Sequence, residues 1–166
     1  TTANILTLST DQIVSVLTSQ AVALTTAQIV ALLTTQVSSL LTSQVEVLLT
    51  TQVDVLLTAQ TYVLNSTQIQ SLTTIQIPAL RTANISSLTT MNIASLLTSQ
   101  IIVLLPPQIT SFTTAQIVVL KSEQVQTLNS RQVNAITTLN ISTLLTSQIN
   151  FLYTSQVNIL LTSQIA

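Results

Sequence analysis

The chain of 166 residues has no glycine, no cysteine and no histidine, and only seven charged side chains. Each absence excludes something. Without glycine there is no phosphate-cradling loop and no easy residue for a turn at positive φ. Without cysteine no disulfide forms, and the redox compartment cannot be read from the residues. Without histidine, and with the few charges scattered, no acid–base pair or nucleophile–base pair stands close in sequence, so the chain is read as a non-enzyme with no catalytic, cofactor-binding or metal-binding residues. Charged residues make up 4%, against about a quarter in ordinary globular domains. A net charge of −1 gives no pull toward nucleic acid. So little charge also gives little repulsion between copies, which favours assembly. The longest apolar run, Ile101 to Leu105, stops at Pro106-Pro107. It falls far short of the 18 or so residues of a membrane span, and the first residues show no signal-peptide pattern.

What is present is a strict period of eight. From Asn4 to Gln164 every eighth residue is Gln or Asn, at all twenty-one positions. Residues 1–166 therefore form one continuous array of about 21 octads with no separate domains. With the Gln/Asn as position 4, a clean copy is Leu97-Thr98-Ser99-Gln100-Ile101-Ile102-Val103-Leu104. Position 2 is Thr or Ser, apart from Pro106. Position 5 is Ile or Val, except Ala21 and Thr61. Position 8 is Leu, with Val16, Phe112 and Ile136 as exceptions. Positions 3 and 6 drift and are expected to face solvent. The array opens at position 1 and stops at position 6, with no atypical capping octad. This suggests an excised or processed stretch, or ends that meet other chains.

Two architectures fit. At 100° per residue, positions 4, 5, 8 and the following 1 share an arc of about 140°, enough for the buried stripe of a helix. Thr25 and Gln28 read as a capping box. Where position 1 is Leu, the Thr at position 2 is expected to cap instead. Pro106-Pro107 suits a first helical turn, whereas Pro78 is awkward inside one. Asp11 and Glu123 fall near N-terminal ends, and Arg81 and Lys121 just past C-terminal ends, as the helix dipole prefers. Asn65 and Asn129 could make the left-handed turn that glycine usually supplies. The expectation is all-α, a solenoid of very short stacked helices, one per octad. The alternative is a β-solenoid with Thr and Gln/Asn ladders, which suits the Val, Ile and Thr content but not Pro106-Pro107.

Candidate sites are few. Glu46 and Asp54 share position 6 of successive octads; if side by side they could help hold Ca²⁺, though two solvated carboxylates is the plainer reading. Glu123 and Arg131 share position 3 and could form an exposed ion pair. Asn65-Ser66-Thr67, Asn84-Ile85-Ser86 and Asn140-Ile141-Ser142 match the N-glycosylation pattern, about as often as chance gives in a chain so rich in Ser and Thr. Tyr62 and Tyr153 read as packing or surface aromatics.

Thr113-Thr114-Ala115-Gln116-Ile117-Val118-Val119-Leu120 resembles the octapeptide repeat, of the type T-T-A-Q-I-x-A-L, in very large bacterial exoproteins described as adhesins or haem-utilisation proteins. The resemblance covers the whole chain. It implies a secreted or cell-surface protein with a stalk, spacer, filament or adhesin role, whose partners are copies of itself by lateral or end-to-end assembly and an unidentified adhesion target. It carries no haem site across, because Met91 alone is a poor axial ligand. Leu24-Thr25-Thr26-Ala27-Gln28-Ile29 also looks like the first helix of a TAL-effector repeat. The second helix, the glycines and the basic charge of those repeats are missing, so DNA binding does not follow. Surface binding, of ice in particular, is the alternative function if the Thr at position 2 faces solvent. A protein-binding scaffold is another, but positions 3 and 6 hold no concentrated aromatic or charged patch.

Overall fold

A computed structural model describes residues 2–163, with side chains from 2 to 160. It is an all-helical solenoid with one short helix per octad, as in Thr42–Glu46, Thr50–Asp54 and Thr98–Ile101. No strand occurs among the described residues, so the β-solenoid alternative is set aside. Octads are numbered here in chain order, so that octad n ends at residue 8n.

The local rule repeats. Position 1 is the extended N-cap, as at Leu41 with φ −71° and ψ 152°. Positions 2 to 6 are helical. Position 7 closes the helix near φ −90° and ψ 0°, as at Val55. Position 8 returns to extended backbone, as at Leu72 with φ −62° and ψ 126°. Two successive extended residues thus turn the chain, and no described residue has positive φ. That is how the corners form without glycine. Asn65 and Asn129 do not make left-handed turns, as the sequence had suggested. Both are extended N-caps whose Oδ1 accepts backbone N–H groups of the following helix. Arg81 and Lys121 are likewise N-caps rather than residues trailing a helix. Pro106-Pro107 opens the helix Pro106–Thr110, where a missing N–H costs nothing. Pro78 falls at position 6, whose N–H elsewhere donates to position 2, as Ile102 does to the Thr98 carbonyl at 3.0 Å. Lacking that donor, octad 10 tightens to a 3₁₀ turn, Ile77–Ala79. The last described helix, Thr154–Ser163, runs on through position 8.

A helix of five residues leaves almost all its end groups unpaired and is unstable alone. Stability comes from winding. Each helix packs on the helix three octads away rather than on its neighbour in sequence. Hydrogen bonds between layers span 28 and 31 residues. A turn of the solenoid therefore takes between three and four octads. Positions 5 and 8 fill its axis as one continuous core, from Ile5 and Ile13 through Val133 and Ile136. Position 4 is buried beside them. Position 1 departs from the expected arc: Leu33, Leu41, Leu49, Leu57, Leu97 and Leu105 are each nearly half exposed. The helical spacing of 100° does not extend to a residue held in extended backbone. Position 7 lies outside that arc, yet it packs partly on the core through Val55, Val63, Val103 and Val119.

Ala21 stands where the other octads, that of Thr61 apart, carry Ile or Val, and it lines a small apolar cavity of about 30 Å³ with Ile13, Leu24, Ile29 and Leu48. Ala21→Val is expected to stabilise the fold by about 0.5–1 kcal/mol, the scale of the void it fills. A thermal or urea melt checks this; an unchanged or lowered midpoint would mean that the site is already full.

Candidate functional site

The recurring polar feature is the amide at position 4. In Gln100, Oε1 accepts the N–H of Leu97, the N-cap of its own helix, at 2.9 Å. Its Nε2 donates to the carbonyls of Ile69 at 2.8 Å and Leu72 at 2.7 Å, both at the C-terminal end of the helix four octads earlier. A third carbonyl, that of Gln70, lies at 3.3 Å. One buried side chain thus caps the start of one helix and the end of another. The same pattern runs through Gln36, Gln44, Gln52, Gln60, Gln68 and Gln76, and again from Gln108 through Gln132. The Thr25–Gln28 box is present, with Thr25 N–H donating to Oε1 at 2.9 Å and Gln28 N–H to Oγ1 at 3.2 Å. Its glutamine half is general. Where position 1 is Leu, the N-cap residue has no side-chain capping bond of its own and the Thr at position 2 does not take over, so the glutamine alone serves the helix start.

Asparagine is one methylene shorter and makes less of the bridge. Asn92 and Asn140 donate to the position-8 carbonyls of Leu64 and Phe112, each at 2.8 Å. In both octads a Thr at position 1 caps the helix with its own hydroxyl. Asn84 donates to the Leu56 carbonyl at 2.8 Å and to Thr61 Oγ1 at 3.2 Å. Thr61 is the fully buried exception at position 5, and Ser87 Oγ lies 2.9 Å from its hydroxyl. The two irregular residues thus satisfy each other. Their coincidence in the sequence, 23 residues apart, was the only signal of that contact.

The charged candidates separate. Glu46 and Asp54 are on successive octads, which wind apart instead of stacking, so they are not a side-by-side pair. Asp54 pairs with Arg81, four octads on, which donates Nε–H to Oδ1 and Nη2–H to Oδ2, both at 3.0 Å. Glu123 and Arg131 form no ion pair; Asp54–Arg81 is the one bridge among the described residues. The hydrogen bonds from Arg81 hold the Asp54 carboxyl below its ordinary value; partial desolvation opposes them and the guanidinium charge adds to the lowering. Both side chains are half exposed, so the contribution to stability is small. It is present above the unfolded aspartate value of about 3.9 and is lost as pH falls through the lower folded value. Arg81→Ala is expected to return the Asp54 titration toward the ordinary range, read by carboxyl NMR. An unmoved titration would show that the pair does not form in solution.

Among the described residues no three potential metal-ligating side chains cluster, and no helix is long and apolar enough to cross a membrane. Of the three glycosylation patterns, Asn84 and Asn140 are buried as bridging amides, while Asn65 is an exposed cap. Tyr62 and Tyr153 lie outside, 60% and 58% exposed. Met91 is also on the surface. The Thr at position 2 was expected to be capping or buried. It is instead exposed in most octads, Thr18, Thr42, Thr50 and Thr98 among them. No family model matches the chain, and comparisons with curated proteins and solved structures find no match.

Proposed function

We propose that this chain is a structural repeat segment of an extracellular or cell-surface fibre, stalk or adhesin, self-stacking rather than catalytic. The observation that carries the reading is the amide bridge. Interior octads spend the amide at position 4 on holding layers together, and the centre is filled with Ile, Val and Leu. Such a molecule supplies length and stiffness in proportion to the number of octads. Low charge and half-exposed position-1 leucines favour association with like copies. The resemblance to octapeptide arrays of large bacterial exoproteins points the same way and suggests the surface location. Electron microscopy of the native material tests the proposal: elongated particles or fibres are expected, and only compact, freely diffusing monomers would contradict it.

A second reading, binding to ice or another ordered surface, gains from the outward-facing Thr and Ser at position 2. It predicts thermal hysteresis in the purified protein. Freezing behaviour equal to that of a control protein at the same concentration would remove it.

A further inference from the structure

The three Asn-x-Ser/Thr patterns share a spacing in sequence but differ in geometry in the fold. Asn84 and Asn140 stand at position 4, inside a helix, where residues two apart point to different sides. Both are buried, and their Nδ2 groups donate to the Leu56 and Phe112 carbonyls at 2.8 Å. The hydroxyls two residues on turn elsewhere: Ser86 donates to the Ala83 carbonyl at 3.1 Å and Ser142 to that of Leu139 at 2.8 Å. Asn65 instead stands at position 1, in extended backbone at the head of the helix Ser66–Ser71. Asn65 and Thr67 are both exposed. The Thr67 hydroxyl donates to Asn65 Oδ1 at 2.6 Å, and the same oxygen accepts the Gln68 N–H at 2.9 Å. The Ser66 hydroxyl between them is buried. Asn65 Nδ2 donates to no group among the described residues.

We infer that Asn65 is an N-glycosylation site, whose Nδ2 accepts a sugar from a donor activated as a phosphate or pyrophosphate ester and delivered by a glycosyltransferase. The bond from Nδ2 to the anomeric carbon forms as the bond from that carbon to the phosphate oxygen breaks. The phosphate leaves with the electron pair, and one amide proton passes to the enzyme's base. Oδ1 takes no part in the new bond, so the helix keeps its cap after modification. The acceptor pattern is defined by a Ser or Thr two residues after the Asn, and among the described patterns only Thr67 reaches its own asparagine. Asn129 is an internal control. It heads the helix Ser130–Asn134 in the same way, its Oδ1 accepting the Arg131 and Gln132 N–H groups, but Arg131 supplies no hydroxyl. The inference needs a chain that meets such an enzyme and does not depend on fibre formation. Compact monomers bearing a sugar on Asn65 would remove the fibre reading and leave this one standing.

The test is peptide mass spectrometry of the chain isolated from its native source. Cleavage after Arg81, Lys121 and Arg131 places Asn65, Asn84, Asn129 and Asn140 on four different peptides. A mass increase of one or more sugar residues is expected on the peptide ending at Arg81, mapped to Asn65 by fragmentation, and on none of the other three. Expressed in the same source, Thr67→Ala is expected to lose the sugar. Alanine already fills position 3 at Ala27, Ala59, Ala83 and Ala115, so this variant folds. Thr67→Ser, which gives Asn65 the hydroxyl type of the two buried patterns, is expected to keep the sugar. An unmodified native chain would overturn the inference, as would a sugar on Asn84 or Asn140. So would a Thr67→Ala chain modified as fully as the wild type, or a Thr67→Ser chain that has lost the sugar.

Discussion

Gln100→Leu is expected to lower stability by about 3–5 kcal/mol, although leucine is close in volume and more apolar than glutamine. The substitution strands the Leu97 N–H and the Leu72 carbonyl and removes one of two bonds from the Ile69 carbonyl. A stranded buried group costs about 1–3 kcal/mol, and the gain from burying an extra apolar group does not offset two of them. The damage reaches two helices at once, because the amide caps the start of one and the end of another. Gln100→Asn is expected to fall between, at about 1–2 kcal/mol, since Asn92 shows that the shorter amide keeps the bond to position 8. The same change in octad 2, Gln12→Leu, should cost within about 1 kcal/mol, because only the bond from the Ser9 N–H is lost. Urea melts of the three variants check the order. Equal losses at Gln100 and Gln12 would show that the interlayer bonds do not form.

Ile93→Ala is expected to cost about 3–4 kcal/mol, from lost burial plus the void left on the axis. Ile93 is 0% exposed at position 5, where the winding brings several octads around one side chain. Leu97→Ala, at position 1 and 45% exposed, should cost no more than about 1 kcal/mol. The two residues are both aliphatic and only four apart, so a composition-based argument would rate them alike. Calorimetric or urea melting separates them. A Leu97 loss as large as that of Ile93 would place position 1 in the core, as the simple helical wheel had it.

The octad period made the single array and its short helices legible, and the uniform Gln/Asn marked position 4 as structural. The prolines at Pro106-Pro107 and Pro78 gave the helix limits for the reasons of missing donors that apply in any chain. What the residues did not disclose was the winding. An eight-residue period says that octads are equivalent, not which of them touch. That depends on the two extended residues at positions 8 and 1, whose angles no side chain announces. Hence Glu46 and Asp54 looked adjacent, Arg81 could not be matched to Asp54 across 27 residues, and the second role of each glutamine, reaching four octads back, had no local sign. The same gap hid the solvent exposure of position 2 and of the position-1 leucines. The charged candidates carried little because they were judged as sequence neighbours, and winding separates sequence neighbours.

The claim beneath all of this is that the position-4 amides bond between layers. Hydrogen exchange of the glutamine side-chain NH₂ groups, followed by NMR, tests it directly. The interior amides, Gln44 through Gln132, are expected to exchange slowly, near the rate of global opening, while Gln12 and Gln20 exchange at the speed of free amides. If interior and terminal glutamines exchange equally fast, the layers are not joined in this way and the account is wrong.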